Sequence, residues 1–283
     1  MTPGIYEIPN EEYHASIGIS RSKLSLLKQS PLRYWYNYLS PNPPPKEHKD
    51  CFDFGTLLHT LVLEPHLFDG MFFPEEKYDR RTNIGKEKHE EYMRRAEGKI
   101  IIAPDDILKA QEMARVAKEH PHVISILNGA DIEKSLYWTD TETTTLCKAR
   151  PDIWNRQINI LADLKTSRYD NAYDFMREAE GKDYHMQAAM QIDSVFELTG
   201  DVIDHFVFLV VPKEPPYMPY TVPLDDETIE QGRKVYKSGL KLLKHCIETN
   251  EWDKERVTLR PYSLTPWQMS RNPFNELLEV YCG

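Results

Sequence analysis

The stretch between residues 130 and 167 constrains this chain most. Within it apolar residues recur at every second position, while on both sides they recur at helical spacing. Three runs alternate in this way: residues 132–138, 144–154 and 158–166. Polar turns at 140–143 and 155–157 separate them, so the spacing predicts an antiparallel meander. A fourth run, residues 205–211, is apolar throughout and predicts a strand buried on both faces.

The flanking segments read as helices. Residues 20–31 carry Ser20 as a candidate N-cap, Leu24, Leu27 and Lys28 on one face, and Pro31 as a break before the aromatic turn of Tyr34, Trp35, Tyr36 and Tyr38. Repeated prolines make residues 41–50 a linker. Residues 52–64 are apolar almost all round and predict a buried helix closed by Pro65. Residues 78–97, with Arg80, Arg81 and Lys86, are densely charged and predict a solvated or ligand-facing stretch. Residues 105–120 predict an amphipathic helix with Ile107, Leu108, Met113, Val116 and Ala117 inside. Helical spacing returns over 171–199 and again over 227–248. This order predicts a mixed sheet flanked by helices, an α/β or α+β fold.

Composition narrows the function. With 40% hydrophobic and 28% charged residues, the chain can bury a core and is not globally disordered. No apolar run approaches the roughly 18–20 residues of a membrane span, and the start lacks the features of a signal peptide, so a cytoplasmic protein without membrane partners is expected. Cys51, Cys147, Cys246 and Cys282 are widely separated, which argues against a zinc ribbon or an iron–sulfur cluster. A net charge of −10 argues against nonspecific coating of nucleic acid and leaves room for a local basic groove.

The candidate chemistry centres on Arg150-Pro151-Asp152, followed by Asp163-Leu164-Lys165. In a strand Asp163 and Lys165 project to the same side and Leu164 to the other. Two carboxylates brought together repel unless a cation lies between them, and oxygen ligands suit Mg²⁺ or Mn²⁺. A nearby lysine can orient or help deprotonate a water, which completes an inventory for phosphodiester hydrolysis. Pairing about a turn at 155–157 would set Asp163 opposite residue 149, so a bulge at Pro151 or an offset register is expected to bring Asp152 into place. His59 follows Gly55 by one helical turn in an apolar helix that favours a neutral imidazole. Tyr184, Gln187 and Gln191 share a helix face at i, i+3 and i+7. Each feature alone also fits a plainer role: an exposed ion pair, a hydrogen-bonded core histidine, a polar surface stripe.

Taken together, Gly55-x-x-x-His59, Arg150-Pro-Asp152, Asp163-Leu-Lys165 and Tyr184-x-x-Gln187 resemble the PD-(D/E)XK nuclease superfamily in its RecB-like branch. The likeness is closest to RecE-type exonucleases, similar to exodeoxyribonuclease VIII, of phage recombination systems; lambda exonuclease is a more distant relative. Residues 6–14, the 20–31 helix, Leu63-Glu64-Pro65 and the Arg80 to Lys86 segment also look like that family, so the likeness spans most of residues 5–215.

The resemblance implies a restriction-endonuclease-like core in one nuclease domain over 1–283, with a helical DNA-end region (1–50), a catalytic core (51–215) and a C-terminal helix and tail (216–283). It implies that His59, Asp152, Asp163 and the Leu164 carbonyl bind Mg²⁺, with Mn²⁺ substituting. Lys165 would assist the attacking water, with Glu133, Tyr184 and Gln187 also catalytic. Ser20, Arg21, Ser22, Arg80, Arg81, Lys86 and Gln191 would meet DNA.

The implied activity is 5′→3′ exonuclease action on double-stranded DNA ends, supplying 3′ single strands to a single-strand annealing protein. A nonenzymatic DNA-end docking module and a structure-specific endonuclease are the alternatives. A homo-oligomeric ring, trimer or tetramer, is implied as well, its channel lined by Arg21, Lys28, Arg33, Arg80, Arg81 and Lys86. Residues 250–283, with Trp252 and Trp267, are expected to pack on the core.

Overall fold

A computed structural model describes residues 1–45 and 50–253. Its strands are β1 (Gly4–Tyr6), β2 (Phe72–Pro74), β3 (Ile100–Ile102), β4 (Asp131–Ile132), β5 (Ser135–Thr139), β6 (Leu146–Ala149), β7 (Ile153–Asn155), β8 (Ile160–Ser167), β9 (His205–Pro212) and β10 (Tyr220–Pro223). Its helices are α1 (Asn10–Ala15), α2 (Arg21–Gln29), α3 (Pro31–Tyr38), α4 (Asp50–Leu63), α5 (Phe68–Met71), α6 (Asn83–Arg95), α7 (Pro104–Glu119), α8 (Pro121–Leu127), α9 (Ala172–Gly181), α10 (Tyr184–Thr199) and α11 (Asp226–Thr249).

The main sheet runs β10-β9-β8-β7-β4, parallel between β8 and β9 and antiparallel elsewhere. A second sheet, β1-β5-β6, is antiparallel. This is the mixed sheet with flanking helices that the periodicity predicts. The expected single meander is divided, however. Pro151 has no N–H to give a ladder, so the run over 144–154 breaks after Ala149; β6 pairs with β5, while β7 resumes in the main sheet.

Alternation along β8 and β9 sorts the core. Ala162, Leu164, Val207, Leu209 and Val211 pack with Leu58 and Val62 of α4 and Met113 and Ala117 of α7. Leu161, Phe206, Phe208 and Val210 pack with Phe175 of α9 and Ala188 and Val195 of α10. Each fully buried Leu, Val or Phe contributes about 1.5–3 kcal/mol, so both faces hold β8 firmly between α4 and α10.

Several local expectations change. In α7, Leu108 faces solvent at 65% exposure, and Ala110 takes the buried position. The helix expected over 171–199 is two helices, because Asp183 adopts a left-handed backbone (φ 57) between them. Ser20 occupies the N-cap position of α2 without capping it through its side chain; its hydroxyl lies 3.0 Å from that of Ser22. α10 and α11 cross so closely that a Cβ on Gly232 would fall 2.1 Å from the His185 carbonyl oxygen, which requires glycine there. Trp252 is buried and stacks on Tyr34, whereas the rest of the tail, including Trp267, lies outside the described residues.

Candidate active site

Asp163 and Lys165 occupy the centre of β8, and alternation turns both toward α10. Asp163 is inaccessible to solvent. Its Oδ2 makes no directed hydrogen bond and meets the Lys165 ammonium as an ion pair. Leu164 points the opposite way, into the cluster with Leu58 and Val62.

The β7–β8 register pairs Ile153 with Ala162 and Asn155 with Ile160. Extended by one residue, it sets Asp152 opposite Asp163. Of the two expected devices it is the offset register and not a bulge at Pro151 that does this, because the turn takes in residues 156–159 and is longer than the sequence suggests. Asp152 Oδ2 accepts the Leu164 N–H at 2.7 Å and lies 3.7 Å from His59 Nε2. His59 Nε2 in turn lies 2.6 Å from the Leu164 carbonyl oxygen. An imidazole on α4 thus meets a carboxylate just before β7 and a carbonyl on β8.

Electrostatics mark this cluster. Burial, then Asp163 and Glu133, push the Asp152 carboxyl well above the usual range. Burial works against the Lys165 ammonium, but Asp163 and Asp152 outweigh it and its pKa rises. Burial, with Lys165 adding to it, lowers His59 to about 4, so its ring is neutral at pH 7. Glu133 is raised to about 6, chiefly by burial and against the pull of Arg150.

Tyr184, Gln187 and Gln191 line the α10 side. Gln187 Nε2 donates to Asp163 Oδ1, and Gln191 Nε2 reaches the same oxygen at 3.2 Å. The Tyr184 ring has Lys165 Nζ 4.8 Å from its centre, Arg21 at 5.7 Å and Lys182 at 5.8 Å. Gln191 is 2% exposed and also donates to the Arg150 carbonyl at 3.4 Å, so the expected contact with DNA is corrected to an internal support beneath Asp163.

Glu133 has a left-handed backbone (φ 51), which costs a non-glycine residue about 1–2 kcal/mol. Its N–H donates to the Asp152 carbonyl at 3.1 Å. Its carboxylate is engaged by Arg150 Nε at 2.6 Å, and Arg150 Nη1 also donates to Ile8 O and Ser135 Oγ, both at 2.9 Å.

Arg81 is exposed and forked on Asp79 at 2.8 and 3.0 Å through Nε and Nη2, two of its five donors. Arg80 and Lys86 are exposed, and among the described residues no hydrogen bond or ion pair links them to the carboxylates. Sequence reasoning missed Lys148. It is 2% exposed, and its ammonium donates to the Tyr13 and Ser16 carbonyls at 2.6 and 2.9 Å, tying the segment before α2 to β6. Only alternation along β6 hints at an inward lysine.

Among the described residues no three His, Cys, Asp or Glu side chains converge on one point. Of the metal set expected from the sequence, His59, Asp152 and the Leu164 carbonyl gather, and Asp163 pairs with Lys165 beside them. The donors still fit a hard divalent cation. They are a neutral imidazole, a carbonyl and buried carboxylates whose mutual repulsion a cation would relieve.

The model of a family described as "PDDEXK-like domain of unknown function" (DUF3799) matches residues 20–256, most of the chain. The chain belongs to that family. The mixed sheet and helices of this PDDEXK-like protein accord with the restriction-endonuclease-like fold. A candidate exonuclease from Eubacterium rectale is 12% identical with a TM-score of 0.60, covering 98% of this chain and 99% of that one, and shares the fold. A phage related exonuclease from Haemophilus somnus 129PT is 16% identical with a TM-score of 0.31, covering 69% and 95%. No curated protein matches the sequence. Among the described residues no helix is long and apolar enough to cross a membrane.

Proposed function

We propose that this PDDEXK-like chain is a metal-dependent deoxyribonuclease of the RecE type, acting 5′→3′ on double-stranded DNA ends and leaving 3′ single strands for an annealing protein. The supporting observation is the meeting of His59 Nε2, Asp152 Oδ2 and the Leu164 carbonyl beside the Asp163–Lys165 pair. His59, Asp152, Asp163 and Leu164 would hold Mg²⁺ or Mn²⁺. A cation there stabilises charge on the phosphoryl oxygens and makes water a better nucleophile.

The chain's own residues do the positioning. Lys165, paired with Asp163, would orient the attacking water or help deprotonate it, and would offset negative charge developing on the phosphate. Gln187 and Gln191 fix Asp163 through Oδ1. The water oxygen bonds to phosphorus, one bridging P–O bond breaks, the departing oxygen takes a proton, and the water's proton passes to solvent. Polarity, end preference and the recombination role rest on the RecE-type resemblance.

Incubating linear and covalently closed duplex DNA with Mg²⁺ tests the reading. Degradation of the linear form alone, abolished by EDTA and reduced at least ~10²-fold in Asp152→Ala, Asp163→Ala and Lys165→Ala, is expected. Cleavage of closed circles would make it an endonuclease, and undiminished hydrolysis by Asp163→Ala would remove the site.

A further inference from the structure

We propose that Asp183 is a positioning residue for Asp163, acting through α2 and Gln187; the inference rests on the nuclease reading above. Asp183 stands at the N-cap position of α10, yet its side chain does not cap the helix. It is 5% exposed and faces α2, where Ser25 Oγ donates to Oδ2 at 2.9 Å and the Lys28 ammonium pairs with Oδ1. A left-handed backbone, disfavoured for a side chain-bearing residue, aims it there.

Arg21, Ser25 and Lys28 lie at i, i+4 and i+7, on one face of α2. The same clasp that engages Asp183 therefore carries Arg21 to α10, where its guanidinium donates at 3.4 Å to Gln187 Oε1 and to the Lys182 carbonyl. A guanidinium has only donors and a carboxylate only acceptors. With Arg21 on one side and Asp163 on the other, the Gln187 amide can satisfy both in one orientation only: Oε1 toward Arg21 and Nε2 toward Asp163 Oδ1. Asp163 Oδ2 is thereby left for Lys165 and for a cation. Gln187 also donates its backbone N–H to the Asp183 carbonyl at 3.2 Å, so movement of Asp183 displaces Gln187 directly. Lys28, which the sequence places among the residues lining a DNA channel, pairs with Asp183.

Mn²⁺ titration calorimetry without DNA, steady-state cleavage of linear duplex and thermal melting, all on the full chain, test the proposal. Asp183→Asn and Lys28→Met should each weaken Mn²⁺ binding and lower kcat by roughly ten-fold, the scale for partners of metal ligands, with KM for DNA unchanged. The double variant should fall no further than either single one, and Lys28→Arg should restore both quantities. A lowered Tm with wild-type Mn²⁺ affinity and kcat would reduce the clasp to a structural contact and overturn the proposal. So would a raised KM alone in Lys28→Met, which would mark Lys28 as a DNA contact. If Asp183→Asn does not fold, Lys28→Met decides, since it removes the pair from its exposed side. A wild type that neither binds Mn²⁺ nor cuts DNA overturns the nuclease reading itself, and this inference with it.

Discussion

Asp152 accepts the backbone N–H of Leu164, the residue between Asp163 and Lys165, at 2.7 Å. One carboxylate is thus fastened to the backbone of the neighbouring strand, within reach of a second carboxylate that it repels. Burial, Asp163 and Glu133 all disfavour its charge. A folded pKa above the unfolded one gives stability that is present below the ordinary carboxylate range and lost as pH rises through the folded value. Asp152→Asn keeps an acceptor for Leu164 and removes the charge. The metal-free variant should melt higher than wild type at pH 7, by ~2–4 °C for each kcal/mol relieved, with a flatter pH dependence. Melting curves in EDTA check this; an unchanged pH slope would show that Asp152 carries no such penalty.

Metal affinity should depend on the same carboxyl. Protons compete for Asp152, so Mn²⁺ affinity rises with pH through its raised pKa, and binding releases a proton. His59, lowered to about 4, stays neutral above pH 5 and adds nothing to that slope. Calorimetry in buffers of different ionisation enthalpy, repeated across the pH range, measures the released proton; none at any pH would contradict the assignment.

Arg150 and Glu133 form a buried pair, with side chains 9% and 17% exposed. Arg150→Met strands the Glu133 carboxylate and should cost about 3–5 kcal/mol, with Glu133→Gln costing less. Urea unfolding in EDTA gives both numbers. Equal losses would mean that the pair's geometry, and not the isolated charge, sets the cost.

Arg21 makes only long hydrogen bonds, at 3.4 Å, and retains donors for an anion. With Ser20 and Ser22 beside it at the start of α2, it is expected to favour 5′-phosphorylated ends. The cleavage-rate ratio for 5′-phosphate over 5′-hydroxyl duplexes should fall severalfold in Arg21→Ala. An unchanged ratio would assign end selection elsewhere.

A chain of net charge −10 that tracks a polyanion must gather its basic residues on one surface. A closed ring of three or four copies, with heterologous interfaces, would do so. Light scattering at micromolar concentration should give three or four times the monomer mass; a strict monomer, with and without DNA, removes the ring.

Residue spacing alone assigned the faces of the strands that carry the site. Period-two alternation put Asp163 and Lys165 on one side of β8 and Leu164 on the other, made residues 205–211 a buried strand, and the apolar run before Pro65 placed His59 in a buried helix. Periodicity carries phase, but it carries no information about partners. That Asp152 stands opposite Asp163 depended on a turn over 156–159 and on Pro151 ending β6, which only the assembled sheets fix. Gln191 shares a helix face with Tyr184 and Gln187, yet it is buried, donating to Asp163 and to the Arg150 carbonyl. Asp183 drew no notice in the sequence, and it became a clasp through Ser25 and Lys28, more than 150 residues away in the chain. Such contacts follow from how whole elements pack, where burial and charge pairing across the fold outweigh the preference of any short segment.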